Sequence, residues 1–176
     1  ATGTITPFTG MHDGLLADDV SPAIGDILVD SSVAIKRNIA NTLFVMAVSG
    51  STNQSAIGIY AGDRESAYVP VSARLDKVPT GIDDSSLPER DPTYDSVFTD
   101  RKTVVVNSLG EGQVNVCGQG GDIAAGDLIV TSSTAGKGMK QSSNDIKNIT
   151  VCKAREAITF AQASDTGQIA CIYLCG

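Results

Sequence analysis

A single histidine, four cysteines and twenty carboxylates set the chemistry open to this chain. His12 stands beside Asp13, the start of a catalytic triad if a serine converges on it. No Gly-x-Ser-x-Gly elbow supplies that serine. A turn histidine bonded to backbone is the simpler reading. Adjacent acids occur at Asp18-Asp19 and Asp83-Asp84. Neighbours on a strand point to opposite faces, whereas carboxylates that cleave a glycosidic bond converge across ~5–10 Å from separate elements. These pairs read as solvated turn acids. Asp83-Asp84-Ser85-Ser86 lacks the Asp-x-Asp-x-Asp-Gly spacing of a calcium loop. Gly118-Gln119-Gly120-Gly121-Asp122 is glycine-rich but sits in no βαβ unit, so a wide turn is expected rather than a phosphate cradle.

The cysteines are Cys117, Cys152, Cys171 and Cys175, with no CxxC spacing. On one strand, Cys171 and Cys175 would share a face ~13 Å apart, too far for a mutual disulfide. A Cys152–Cys171 pairing across neighbouring strands stays open. Free buried thiols in a protein assembled in a reducing cytosol are the expectation. Zinc is not expected, because His12 lies far from every cysteine in sequence. The chain therefore offers no catalytic set, no metal set and no cofactor motif. The aromatic content is low, with no Trp, four Tyr and four Phe. Arg90, Asp91 and Tyr94, close to Phe98, form the one aromatic-plus-charge group expected at the surface. They are candidate contacts for a carbohydrate ligand, which usually leans on exposed aromatics. The alternative is that Tyr94 and Phe98 pin their loop to the body.

Bulk properties narrow the partners. A net charge of −7 argues against a nucleic-acid surface, which needs clustered Lys and Arg, and against an anionic membrane surface. With 41% apolar and 19% charged residues, the composition is that of a globular chain. No apolar run approaches the ~20 residues that span a bilayer. The opening Ala1-Thr2-Gly3-Thr4 lacks Met and a signal pattern, and reads as the start of a fragment or a processed product.

The elements that must position these residues are organised by a repeat. Gly25-Asp26-Ile27-Leu28-Val29-Asp30-Ser31-Ser32 returns as Gly126-Asp127-Leu128-Ile129-Val130-Thr131-Ser132-Ser133. Each copy reads as a tight Gly-Asp turn, a short apolar strand and a polar turn. Further strands are expected at 4–10, 33–36, 42–48, 56–60, 67–71 (an edge strand, because of Pro70), 102–107, 112–118, 149–156 and 168–174. Residues 149–156 read as the counterpart of 42–48, and 168–174 as that of 56–60. A polar helical turn is expected at 142–148. The segment 76–100, rich in Pro and acids, reads as a surface loop or linker. No amphipathic helix is evident. The expected fold is all-β, with two related small β-barrel or sandwich lobes. The first lobe spans 1–75, an acidic connecting loop 76–102, and the second lobe 103–176.

Several of these phrases carry a resemblance. Phe8-Thr9-Gly10-Met11-His12-Asp13-Gly14-Leu15, Ile24-Gly25-Asp26-Ile27-Leu28-Val29-Asp30 and Ala125-Gly126-Asp127-Leu128-Ile129-Val130-Thr131-Ser132-Ser133 are three of them. The others are Gly136-Lys137-Gly138-Met139-Lys140-Gln141, Val151-Cys152-Lys153-Ala154-Arg155-Glu156 and the closing Gln168-Ile169-Ala170-Cys171-Ile172-Tyr173-Leu174. Together they resemble the C-terminal domains of tailed-bacteriophage tail fibres. The resemblance implies a homotrimeric, β-rich tip joined to an upstream shaft, which recognises a host surface polysaccharide, capsule or lipopolysaccharide, during adsorption. It implies a virion location after assembly in the host cytoplasm, and no enzymatic activity. A three-fold assembly would also cover sheet edges that one chain exposes. The alternatives are a structural trimerisation or maturation module, and a polysaccharide-cleaving tailspike with carboxylates such as Asp91 and Asp95 at a subunit groove.

Overall fold

Leu15 and Leu16 are consecutive on one strand, yet both are almost fully buried. Both faces of that strand are therefore covered. The cause is a sheet that closes on itself beneath an outer layer. The computed structural model describes residues 10–37, 42–75 and 88–175. Nine strands follow in order: β1 (Gly10–Ala17), β2 (Ile27–Lys36), β3 (Thr42–Val48), β4 (Gly58–Asp63), β5 (Arg101–Cys117), β6 (Leu128–Thr131), β7 (Gly138–Lys140), β8 (Cys152–Ala154) and β9 (Thr166–Leu174). Their lateral order is β1-β3-β2-β4-β5-β7-β6-β8-β9. A β1–β5 pairing closes the first five strands into a barrel, and a β5–β9 pairing brings the last strand back onto β5. The fold is thus mostly β, as the strand-rich pattern led one to expect.

The 17-residue strand β5 belongs to both halves. Arg101–Leu109 pairs with β1, and Leu109–Cys117 pairs with β9. Between the two lies Gly110, at φ +103°. A side chain is strained there, so glycine lets the strand turn from one barrel into the next. The boundary between lobes accordingly runs through β5 at Gly110. Residues 101–109 complete the first lobe instead of opening the second, and the two strands expected at 102–107 and 112–118 are one.

The duplication is repeated bond for bond. The amides of Gly25 and Gly126 donate to the carbonyls of Tyr60 and Ala154, at 2.9 and 2.8 Å. The amides of Tyr60 and Ala154 donate back to the carbonyls of Asp26 and Asp127, each at 2.8 Å. Gly25 and Gly126 have φ of +97° and +99°. Each aspartate also accepts a hydrogen bond from the amide three residues before it, Ala23 or Ala124. These equivalences match β2 with β6 and β4 with β8. The register of β7 on β6 then matches that of β3 on β2, and β9 takes the place of the first half of β5. The counterpart of 42–48 is therefore β7, not 149–156, and the counterpart of 56–60 is β8, not 168–174. The Ile-Tyr echo comes from the shared alternation of strands buried on one face, which recurs in any strand of a barrel.

Other expectations shift as well. His12 lies within β1, opposite Val106, and is not a turn residue. Residues 67–71 form no strand: Pro70 leads into a 3-10 turn, Val71–Ala73. Segment 142–148 has no helical turn. The strand expected at 149–156 is only Cys152–Ala154. The expected strand at 4–10 falls mostly outside the described residues, as does much of the loop 76–100. The described part of that loop contains a 3-10 helix, Pro92–Phe98.

Three clusters form the core. Leu16, Leu28, Met46, Tyr60, Val104 and Val106 fill the first barrel. Leu15, Ile35, Leu43 and Ala73 pack outside it, beneath Tyr94, Val97 and Phe98. The largest cluster fills the second barrel around Val114, Ile129, Val151 and Ile169, and takes in Ile27 and Ile59 from the first. Each buried Leu or Ile side chain contributes roughly 1.5–3 kcal/mol, so the joint between the barrels is part of the core.

All four cysteines are free and buried. Burial pushes the Cys152 thiol well above the ordinary value, with the adjacent Cys171 adding to it. Burial likewise pushes Cys175 up to about 12, and the Tyr60 and Tyr173 phenols to about 12. A group raised in the folded state stabilises it below its unfolded value and loses that contribution as pH rises through the folded one. The ordinary values are 9.0 for a thiol and 10.0 for a phenol. Stability should hold up to about pH 9 and fall between pH 9 and 12, as measured by denaturant unfolding across that range. In the native protein at pH 8, Ellman's reagent should label no thiol on the time scale of minutes, and all four after unfolding. A rapidly labelled native thiol would contradict this.

Candidate functional site

Asp91 caps the 3-10 helix Pro92–Phe98, accepting a 3.0 Å bond from the Thr93 amide. That bond holds its carboxyl below the usual value, with a smaller contribution from Arg37. Arg90 pairs with Asp95 at 2.8 Å and lies 4.9 Å from the centre of the Phe98 ring. Tyr94 rests on the cluster outside the first barrel, with the Arg37 guanidinium 5.7 Å from its ring centre. Arg90 and Asp91 thus stand in one short segment, and Tyr94 joins it to the body.

His12 lines a cavity of about 520 Å³ with Phe44, Met46, Val71 and Ser72. The neighbouring Asp13 is fully engaged elsewhere. Its Oδ1 accepts from Arg64 Nε and Nη2, at 2.9 and 2.8 Å, and its Oδ2 from the Tyr68 hydroxyl at 2.7 Å. Arg64 also stacks on the Tyr68 ring at 4.5 Å. Asp13 anchors Arg64 and Tyr68 and does not orient the imidazole, so no Ser-His-Asp relay is built here.

A second cleft, of about 590 Å³, opens where the barrels meet. Its lining includes Asn53, Gln119, Asp127, Met139, Lys140 and Asn144. The loop after β3 brings Asn53 across, tied down by Gln54, whose amide donates to Thr131 Oγ1 at 2.8 Å. Asn53 adopts φ +59°, a left-handed conformation that asparagine tolerates better than most residues. Asp127 and Lys140 pair at 2.8 Å. That bond, with the Ala124 amide, holds the Asp127 carboxyl below its ordinary value. Gln119 is fixed through Oε1, which accepts from the Ser133 amide and hydroxyl at 2.8 and 2.9 Å. Read from sequence, Asp127 and Gln119 are only turn residues, and Asn53 and Asn144 have no role. Polar residues in separate loops carry no pattern that announces their convergence.

Among the described residues, no three His, Cys, Asp or Glu side chains gather as metal ligands. No described helix is long and apolar enough to cross a membrane.

Fold and site define a duplicated β-barrel protein with a polar cleft at the joint of its two halves. No protein-family model matches the chain, and no curated protein or solved structure matches it.

Proposed function

We propose that this chain is the receptor-binding tip of a bacteriophage tail fibre, recognising a host surface polysaccharide without cleaving it. The proposal begins from the phrases around the two Gly-Asp turns, which resemble tail-fibre C-terminal domains. The observation that carries the binding reading is the polar cleft, whose paired charges and carboxamides suit hydroxyl-rich ligands. Chemistry disfavours the polysaccharide-cleaving alternative. Asp91 is held below the usual carboxylate value and Asp95 is tied to Arg90, whereas a general acid for glycoside cleavage needs a raised value. The proposal includes a homotrimer on an upstream shaft, in which three weak sites act together through avidity. A structural trimerisation module remains the second reading.

Fluorescently labelled protein should bind host cells that carry the polysaccharide and ignore matched cells that lack it. Light scattering on the same sample should give about three chains per particle. A well-formed trimer that binds neither cell type would favour the structural module. Release of reducing ends from purified polysaccharide would restore the enzyme reading.

A further inference from the structure

Within the cleft Asp127 has a charged counterpart in the first barrel, Asp26, but Lys140 has none. Lys140 pairs with Ile129 where the first barrel has Val48 against Leu28, and Met139 stands where it has Ala47. The first Gly-Asp turn is covered by the second barrel: Asp26 receives Lys137 and Asn115, and Ile27 and Ile59 join that barrel's core. The equivalents of Ile27 and Ile59 are Leu128 and Lys153, which pair across β6 and β8. Lys153 is exposed. The outer face of the second barrel is thus not built to receive a third barrel.

Part of the cleft's hydrogen-bonding capacity is unspent within the protein: the Gln141 carboxamide is taken up by Ser143, Asp145 and Thr150, whereas exposed carboxamides at Asn53, Gln119 and Asn144 stay open to a ligand. Among the described residues, the Asn53 and Asn144 side chains make no hydrogen bond and Gln119 uses only its oxygen. Each free carboxamide offers two donors and an acceptor, and Gln119 offers two more donors. Asp127 and Lys140 cancel each other's charge, so an ionised ligand would have to break their pair to gain from either. Donors and acceptors lining one cleft without net charge suit the hydroxyls of a neutral sugar. The volume lies within the ~300–1,000 Å³ usual for small-ligand sites.

We infer that the Asn53–Gln119–Asn144 cleft, with its Asp127–Lys140 pair, is a binding site for a neutral sugar residue. This deepens the receptor-binding reading and rests on it for the biological source of the sugar. Carboxamides and the ion pair would hold ring hydroxyls, and Met139 would meet the ring's C–H face.

The test is an amide-detected NMR titration of the intact chain with methyl glycosides of glucose, galactose, mannose, rhamnose and N-acetylglucosamine, with methyl glucuronide as the charged control. At least one neutral glycoside should shift the amides around Asn53, Gln119 and Asn144, saturating at about 10 mM if Kd is near 1 mM. The affinity should not change when salt is raised from about 0.05 to about 0.5 M, since no charge attraction is involved. The double variant Asn53→Gly, Asn144→Ala should bind at least ten-fold more weakly. Glycine is chosen at 53 because the backbone there has positive φ. No shift in the cleft with any neutral glycoside, a preference for the glucuronide, or unchanged binding by the double variant would overturn the inference. Cell binding that survives in the double variant would overturn it as well and leave the receptor-binding reading standing. Failure of the unaltered protein to bind cells would remove that reading, while the glycoside titration would still decide the cleft.

Discussion

Asp26→Ala should destabilise the protein by about 3–5 kcal/mol, whereas Asp127→Ala, at the equivalent turn, should cost only about 1 kcal/mol. The two residues occupy the same place in the repeat and cap the same kind of turn. Their surroundings differ. Asp26 is buried and joins the barrels: Lys137 of the second barrel reaches it, as does Asn115 Nδ2 at 2.8 Å, while the Ala23 amide binds its other oxygen. Removing the carboxylate strands a largely covered ammonium and an amide, and uncompensated buried charge is costly. The Asp127 side chain is 19% exposed, and its partner Lys140, at 38%, can turn to water. Thermal unfolding of the two variants side by side would check this. The larger loss should lower the melting temperature by roughly 10 °C, at ~2–4 °C per kcal/mol for a chain of this size. Equal shifts would mean that the ion pair between the barrels contributes little.

The second large effect is expected at Gly112. This residue lies opposite Cys171 on β9, beneath the Tyr173 ring. A Cβ added at Gly112 would fall inside the contact radius of the Tyr173 hydroxyl and ring. That hydroxyl accepts from the Gln113 amide at 2.9 Å and donates to the Gln113 carbonyl at 2.7 Å. Gly112→Ala should therefore cost about 2–4 kcal/mol, combining overpacking with the loss of both bonds. Tyr173→Phe removes the bonds and keeps the ring, so it should cost about 1–2 kcal/mol. The double variant separates the two contributions. If the clash is with the hydroxyl, Gly112→Ala should cost less in the Tyr173→Phe background than alone. Full additivity would show that the hydroxyl is not what the methyl meets.

How much of the site was legible follows from the range of the interactions involved. Arg90, Asp91 and Tyr94 are close in sequence, so their proximity was readable. Whether Tyr94 faced solvent or the core was not, because that depends on the cluster around Leu15 and Ile35, which lie on β1 and β2. Asp127 and Lys140 are also close in sequence, but the cleft needs Asn53 from a loop on the other barrel. His12 shows the converse. Its neighbour Asp13 suggested a relay, yet Arg64 and Tyr68, both distant in sequence, occupy its two carboxylate oxygens.

The amino-acid sequence by itself determined what depends on local backbone chemistry. Two tight Gly-Asp turns, apolar strands after each, the β-rich class and four cysteines without a metal spacing could all be read from neighbouring residues. Tertiary structure decided what depends on pairing across the sheet. It made residues 101–117 one strand serving both halves, shifted the strand equivalences by one position in the barrel, and buried one Gly-Asp turn while leaving its twin beside a cleft. The physical reason is that a β-strand carries the same alternation wherever it sits. Its neighbours are chosen by the closure of the sheet and by the surface that closure buries.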